Sequence, residues 1–156
     1  MKPATEMTPQ ELAEACARAM WNDDSASQRL DMALDHVAPG AATLSMTITA
    51  AMSNGHGNCH GGYIFTLADS AFAFACNSYN QLAVAQHCAV TYLIPGRIGD
   101  RLTATAREVS RRGRSGIYDI RITNQTGDHV AEFRGHSRTI AGTWLPSVSL
   151  ILLAAG

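Results

Sequence analysis

Between Tyr63 and Asn77 the chain reads YIFTLADSAFAFACN, fifteen residues with no proline or glycine and with apolar side chains on nearly every side. A helix of that composition has no wet face to turn outward, so the rest of the molecule must enclose it. A chain of 156 residues is long enough for one core and too short for two of comparable size, which makes this segment the centre of the fold. With 46% hydrophobic and 16% charged residues, the bulk of the chain is not disordered.

The enclosing structure reads as a sheet. From Ala42 to Thr49, Ala42, Leu44, Met46 and Ile48 alternate with polar neighbours, the period of a strand with one buried face. Met52 to His60 is an aperiodic loop, and Gly61-Gly62 opens the helix. Beyond it, Val84–Leu93, Arg101–Val109, Ile117–Thr123 and His129–Ile140 alternate or are rich in Val, Ile and Thr. Pro95-Gly96, Arg112-Gly113 and Thr126-Gly127-Asp128 separate them, which predicts four consecutive strands in an antiparallel meander. Upstream, Thr8-Pro9-Gln10-Glu11 carries a capping hydroxyl, a proline at the first helical position and a glutamate three residues after the cap, so a helix is expected over about Pro9–Trp21. Asn22 to Gln28 reads as a turn, followed by a short helix near Gln28–Ala33, with Pro39-Gly40 a second turn. The expectation is an α+β fold, a curved antiparallel sheet wrapped around one central helix. Its open edges favour a homodimer paired across a two-fold axis.

The net charge of -1, from 12 basic and 13 acidic residues, gives no chain-wide field for nucleic acid or an anionic membrane, and neither is expected as a partner. Nine arginines against five acids between Arg97 and Arg138 nevertheless make that half locally basic. Cys16, Cys59, Cys76 and Cys88 lack the paired spacing of a zinc site, and no metal is expected. With no apolar leader at the N-terminus, the natural reading is a reduced, cytoplasmic protein. The apolar run Val148–Ala155 is far shorter than the roughly 20 residues of a membrane span.

Asp69 stands in the middle of the most apolar helix, where an unpaired carboxylate costs several kcal/mol. Pairing with an arginine or helix amides explains it without catalysis; a polar cleft along the stripe Thr66, Asp69, Ser70, Ala73 and Asn77 explains it with catalysis. His60-Gly61-Gly62 at the helix start offers backbone N–H groups and the positive end of the helix dipole, a candidate oxyanion hole. Gly61 and Asp69 are eight residues apart, about 12 Å along a helix. One chain therefore cannot bring both to one carbon, but two such helices lying antiparallel across a dimer axis can. Asn54, His56, Asn58 and His60 precede the helix, His60 being the histidine best placed to matter. Arg111, Arg112 and Arg114 around Gly113, followed by Ser115-Gly116, form a compact basic turn, either a phosphate site or a plain hairpin connection. No GxxxxGK or GxSxG element occurs.

The segment NGHGNCHGGYIFTLADSAFAFACNS, Asn54 to Ser78, resembles the signature helix of the PaaI-type hotdog-fold acyl-CoA thioesterases. The resemblance continues through DHVAPGAATLSMTITA, YLIPGRIGDRLTATA, GRSGIYDIRITN and AEFRGHSRTIAG, about Leu30 to Gly142. It implies a hotdog domain over 29–142, preceded by an N-terminal helix and turn over 1–28 and followed by an apolar tail over 143–156 that departs from the family pattern. It also implies a dimer that pairs into a tetramer, and hydrolysis of aryl-acetyl-CoA thioesters such as phenylacetyl-CoA or hydroxyphenylacetyl-CoA in phenylacetate catabolism. No cofactor is implied, CoA being part of the substrate. In the HGG-x6-D pattern the catalytic carboxylate falls on Asp69 and the carbonyl-polarising amide on Gly61. Asn54 positions the carboxylate or the water, and His60 lies beside the thioester. Gly62, Arg112, Arg114, Ser115 and Arg97 are the expected substrate-binding residues. Asp69 acts either as general base or as nucleophile. Two rival readings are a hotdog enoyl-CoA hydratase or dehydratase, and a non-catalytic acyl-CoA-binding module in which Asp69 is structural.

Overall fold

The apolar segment is a helix, and a sheet is built against it. The computed structural model describes residues 2–146. Its elements are α1 (Pro9–Asp23), α2 (Ser25–Arg29), β1 (Ala33–Ala38), β2 (Ala41–Thr47), α3 (Gly61–Cys76), β3 (Ala83–Tyr92), β4 (Arg101–Arg112), β5 (Ser115–Thr123) and β6 (His129–Thr139), with two short 3-10 turns. All strand pairs are antiparallel, in the order β1-β2-β4-β5-β6-β3. One face of this sheet packs on α3, whose Leu67, Ala68, Phe72 and Phe74 are buried against Leu44 and Met46 of β2, Ala104 of β4, Ile120 of β5 and Phe133 of β6. This is the α+β hotdog architecture, a sheet around one central helix.

The N-terminus of α1 forms as its sequence dictates. The Thr8 hydroxyl accepts from the Glu11 N–H at 3.2 Å, and the Glu11 carboxylate accepts from the Thr8 N–H at 2.7 Å. Two expectations need correction. The short helix predicted near Gln28–Ala33 is instead α2, which starts at Ser25 inside the predicted turn, where Asp24 caps it by accepting from the Ser27 N–H at 3.0 Å. Ala33 already begins β1, after a left-handed Asp31 at φ 51°. A register irregularity between Leu34 and His36 breaks the alternation that would have marked β1 as a strand. Its turn into β2 uses Gly40 at φ 70°, as Pro39-Gly40 predicts.

The second correction concerns the meander. β4, β5 and β6 do follow one another, but β3 pairs with β6, and β2 takes the place beside β4. The residues between β3 and β4 are too many for a tight hairpin. They cross the end of the sheet, tied there by Cys59 N–H to Gly96 O at 2.8 Å and Ile48 N–H to Asp100 O at 2.9 Å. As a result β3 is an edge strand and is largely exposed.

The C-terminus of α3 is tied to β3 by one side chain. Asn77 is buried; its Nδ2 donates to Ala73 O at 2.9 Å and Ala83 O at 3.0 Å. Its Oδ1 accepts from the Ala83 N–H at 2.9 Å and from Trp144 Nε1 at 2.8 Å. Trp144 and Leu145 pack against Ala15 and Cys16 of α1. The apolar run Val148–Ala155 lies outside the described residues. Among the described residues no helix is long and apolar enough to cross a membrane.

Asn77→Ala strips four hydrogen bonds from a dry junction and leaves the Ala83 N–H without a partner. The expected loss is about 2–3 kcal/mol, read as a lower urea midpoint with an unchanged slope.

Candidate functional site

The loop before α3 is organised by its own polar groups. Asn54 Oδ1 accepts from the His56 N–H at 2.9 Å and the Asn58 N–H at 3.2 Å, and the Asn54 N–H donates to Asn58 O at 2.7 Å. Asn54 therefore shapes the loop through its oxygen, while its side-chain nitrogen has no partner among the described residues. His60 follows as the cap of α3, its Nδ1 accepting from the Gly62 N–H at 2.9 Å. The ring must hold Nδ1 unprotonated to do so.

This capping separates the two glycines. The amide of Gly62 is bonded to the histidine, whereas the amide of Gly61 has no partner among the described residues. Gly61 is left as the free donor at the positive end of a sixteen-residue helix. It opens on a cavity of about 430 Å³ lined by Asn54, Asn58, Cys59, Gly61, Ile64, Tyr92 and the link from Leu93 to Gly96. A larger cleft, about 670 Å³ between α1 and β1, holds none of the predicted residues.

Asp69 lies two turns further along α3, half-buried. Among the described residues no arginine and no helix amide pairs with it, so the structural explanation of this carboxylate finds no partner there. Burial pushes its pKa upward. Burial and then the Asp69 charge push the Cys76 thiol up to about 12, and the same two causes raise Cys88 on β3. Both sulfurs are therefore held as thiols beside this carboxylate. The polar stripe divides around it. Ser70 bonds Ser27 Oγ at 2.8 Å and Asn77 holds β3, both facing inward, while the Thr66 hydroxyl donates back to Gly62 O at 2.8 Å. Among the described residues, Asp69 is thus the one member of the stripe whose polar group is free.

The predicted arginines do not stand together. Arg97, exposed, follows Gly96 at the Gly61 end of the sheet. Arg112, Arg114 and Ser115 form the β4–β5 hairpin, whose neighbours Arg138 and Val84 lie at the opposite end, where α3 finishes. Arg114 Nε and Nη2 donate to Thr139 O at 3.2 and 3.0 Å. Arg111 stacks on the Tyr79 ring at 3.5 Å and sits 3.7 Å from Glu108. Arg121 pairs with Glu132 at 2.9 Å, and Arg134 with Asp119 at 2.6 Å. Arg112 and Arg138 have no partner among the described residues, and they flank Ser115 as its cross-strand neighbours on β4 and β6.

Two residues escaped the reading of the sequence, Arg138 and Tyr92. The first becomes a neighbour of Ser115 only through the β5–β6 register. The second, at the end of β3, reaches Gly61 across the chain reversal, its hydroxyl donating to Gly61 O at 2.8 Å. Among the described residues no three His, Cys, Asp or Glu side chains gather as a metal site would require.

Comparison with known proteins agrees with this geometry. The family model described as thioesterase superfamily matches residues 56–131. The acyl-coenzyme A thioesterase PaaI of Escherichia coli (strain K12) is 47% identical over 127 residues, 81% of this chain and 91% of that protein. The solved structure of the E. coli PaaI protein from the phenylacetic acid degradation operon superposes with a TM-score of 0.86 at 45% identity, covering 87% of this chain and 99% of that one. The TT0310 protein of Thermus thermophilus gives 0.73 at 36% identity, covering 75% and 98%. The smu.793 protein of Streptococcus mutans UA159, solved bound to acetyl CoA, gives 0.69 at 26% identity, covering 72% and 90%. With 47% identity to the E. coli protein across four-fifths of its length, and the same sheet laid around the same helix, the chain belongs to the thioesterase superfamily, among its PaaI-type hotdog members.

Proposed function

We propose that this thioester hydrolase acts on aryl-acetyl-CoA thioesters, phenylacetyl-CoA or a hydroxyphenylacetyl-CoA, releasing the free acid and CoA in phenylacetate catabolism. The observation that carries the chemistry is a carboxylate without a partner, Asp69, on the same helix as an amide without a partner, Gly61. The acyl-CoA class is supported by the E. coli relative's activity and by the acetyl CoA on the S. mutans protein. The aryl-acetyl group is supported by the operon of the E. coli protein and by the cavity beside Gly61. Its wall of Ile64, Leu93, Ile94 and Pro95 suits an apolar ring.

About 12 Å of helix separates the two groups within a chain, so the site is shared. The exposed β3 edges of two chains, paired about a two-fold axis, lay their α3 helices antiparallel and set Gly61 of one chain beside Asp69 of the other. A homodimer then has two equivalent sites, and the family resemblance extends it to a dimer of dimers. In each site Asp69 either takes a proton from the attacking water or itself attacks the acyl carbon. The second route expels CoA thiolate and forms a mixed anhydride that water then opens. Gly61 N–H of the neighbouring chain receives the oxyanion. Asn54 orients the carboxylate or the water, and His60 holds Gly62 while facing the thioester.

The same antiparallel arrangement carries the neighbouring chain's β4–β5 hairpin to the Gly61 end. Arg112, Ser115 and Arg138 there are the free groups for CoA phosphates, with Arg114 and Arg97 in supporting positions. No cofactor takes part, and the four free cysteines suit a reducing cytoplasm.

Free-thiol release from phenylacetyl-CoA, hydroxyphenylacetyl-CoA and short aliphatic acyl-CoAs tests the proposal; aryl esters should be fastest, and binding without release would favour the non-catalytic module. Asp69→Asn should cut turnover by about a hundredfold or more. The same variant should be more stable than the parent at neutral pH. A pKa raised by burial means that ionised Asp69 destabilises the fold fully above its folded pKa, and the penalty vanishes below the unfolded value. The gain in Tm should therefore shrink as pH falls through the carboxylate range, whereas a paired structural aspartate gives a loss instead.

Arg112→Gln and Arg138→Gln should each raise KM for phenylacetyl-CoA about tenfold at little cost in kcat. KM for the N-acetylcysteamine thioester, which has no phosphates, should not move. Mixing Asp69→Asn chains with Gly61→Pro chains, in which proline suits the backbone of a first helical position but removes the N–H and displaces Tyr92, should restore activity in heterodimers, where one site keeps both native groups. No recovery in proven heterodimers would place the site within one chain.

A further inference from the structure

The Gly61–Gly62 peptide is gripped at both of its polar atoms. Its carbonyl, on Gly61, accepts from the Tyr92 hydroxyl at 2.8 Å; its N–H, on Gly62, donates to His60 Nδ1 at 2.9 Å. The tyrosine ring also fills the space over Gly61. A Cβ placed there would come within 2.8 Å of Tyr92 Cζ and 2.9 Å of its hydroxyl oxygen. Gly61 is not among the positive-φ glycines, so glycine is needed here for this close approach and not for its backbone angles.

Such a grip answers a specific weakness. Two consecutive glycines have the widest backbone freedom, and the N–H groups of a helix's first turn lack intrahelical partners. Left to itself the turn would swing its leading amide through a range of directions. Oxyanion stabilisation depends on a donor already aimed where charge develops, because reorientation during the reaction costs part of the gain. Tyr92 reaches the turn from β3, its backbone fixed by pairing with Ala131 of β6, so the aim is referred to the sheet. Burial, and then nearby Cys59, push its phenol pKa upward, and the hydroxyl stays a donor.

We infer that Tyr92 is a positioning residue for thioester hydrolysis: its hydroxyl and ring hold the Gly61–Gly62 peptide, while the preceding peptide, which carries the Gly61 N–H, is held at its His60 carbonyl by the Tyr63 N–H at 3.0 Å, so that the aim of the Gly61 N–H is set from both sides of the Gly61 Cα. The inference rests on the oxyanion role proposed for that amide. Tyr92 acts through Gly61, so its loss should appear in kcat and leave substrate affinity alone.

Tyr92→Phe removes one hydroxyl and keeps the ring. It should lower kcat for phenylacetyl-CoA about five- to tenfold with KM within twofold of the parent, the size expected for one hydrogen bond. In the substrate-free protein, amide exchange at Gly62, whose N–H is held by His60 Nδ1, should quicken by a similar factor. Gly61→Ala, which keeps the N–H but drives the tyrosine away, should lower kcat as well. The double variant should fall no further than Gly61→Ala alone, because both substitutions break one contact. An unchanged kcat and exchange rate in Tyr92→Phe, a rise in KM at constant kcat, or multiplying losses in the double variant would each overturn the inference. The exchange measurement needs no turnover. If the oxyanion reading itself failed, with Gly61→Pro as active as the parent, exchange would still report whether Tyr92 restrains this peptide.

Discussion

Covering a helix that is apolar on nearly every side is the constraint from which the rest of this structure follows. Each fully buried Leu, Ile or Phe of α3 favours the enclosed state by about 1.5–3 kcal/mol, and Ile64, Leu67, Phe72 and Phe74 are all buried. A single sheet can lie on only one side of a helix, however. Ser27 of α2 covers part of the flank by bonding Ser70, and the remaining strip carries the half-exposed Thr66, Asp69 and Ala73 beside the open edge of β3. The helix side left without a cover is therefore the side that holds the unpaired carboxylate. In the proposed dimer one event meets both needs: the second chain supplies the missing cover and also the amide that Asp69 lacks. Oligomerisation and chemistry then have the same physical origin.

The two ends of α3 illustrate how differently a helix terminus is treated when it is structural and when it carries the proposed oxyanion donor. At the C-terminus Asn77 uses both ends of its amide, taking two carbonyls, one backbone N–H and the Trp144 indole. At the N-terminus His60 takes the Gly62 amide and Tyr92 takes the Gly61 carbonyl, while the Gly61 amide stays free. Asp69 follows the same logic, since its burial without a partner raises its pKa and opposes folding. Stability is given up at these two points and recovered in the packed face of the helix, the usual exchange at a reactive site.

Much of this was legible in the chain because it is local. The unbroken apolar run places α3, the alternation from Ala42 places β2, and the Thr8–Glu11 pattern places the cap of α1. The HGG-x6-D spacing picks out Gly61 and Asp69 as candidates. What stayed hidden depends on which strands become neighbours. Alternation marks β3 as a strand but says nothing of its pairing with β6, and a bulge at Asp35 conceals β1 altogether. Tyr92 meets Gly61 only because β3 runs back alongside α3 after the chain reversal at residues 77–82, and no periodicity encodes how far that return reaches.

The basic stretch makes the same point for charge. Counting nine arginines between Arg97 and Arg138 suggests a broad positive surface, yet a charge held against a carboxylate attracts little else. Arg121 and Arg134 are neutralised by Glu132 and Asp119, Arg111 lies on Tyr79 beside Glu108, and Arg114 closes the Thr139 carbonyl. At the hairpin end what remains is a pair, Arg112 and Arg138, set on either side of Ser115 by the pairing of β4, β5 and β6. Two guanidinium groups one strand to either side of a hydroxyl suit the proposed role at the CoA phosphates better than a diffuse patch does, because the spacing of their backbones is set by the sheet. Where a charge lies in the register, and what it already holds, decides what it can bind.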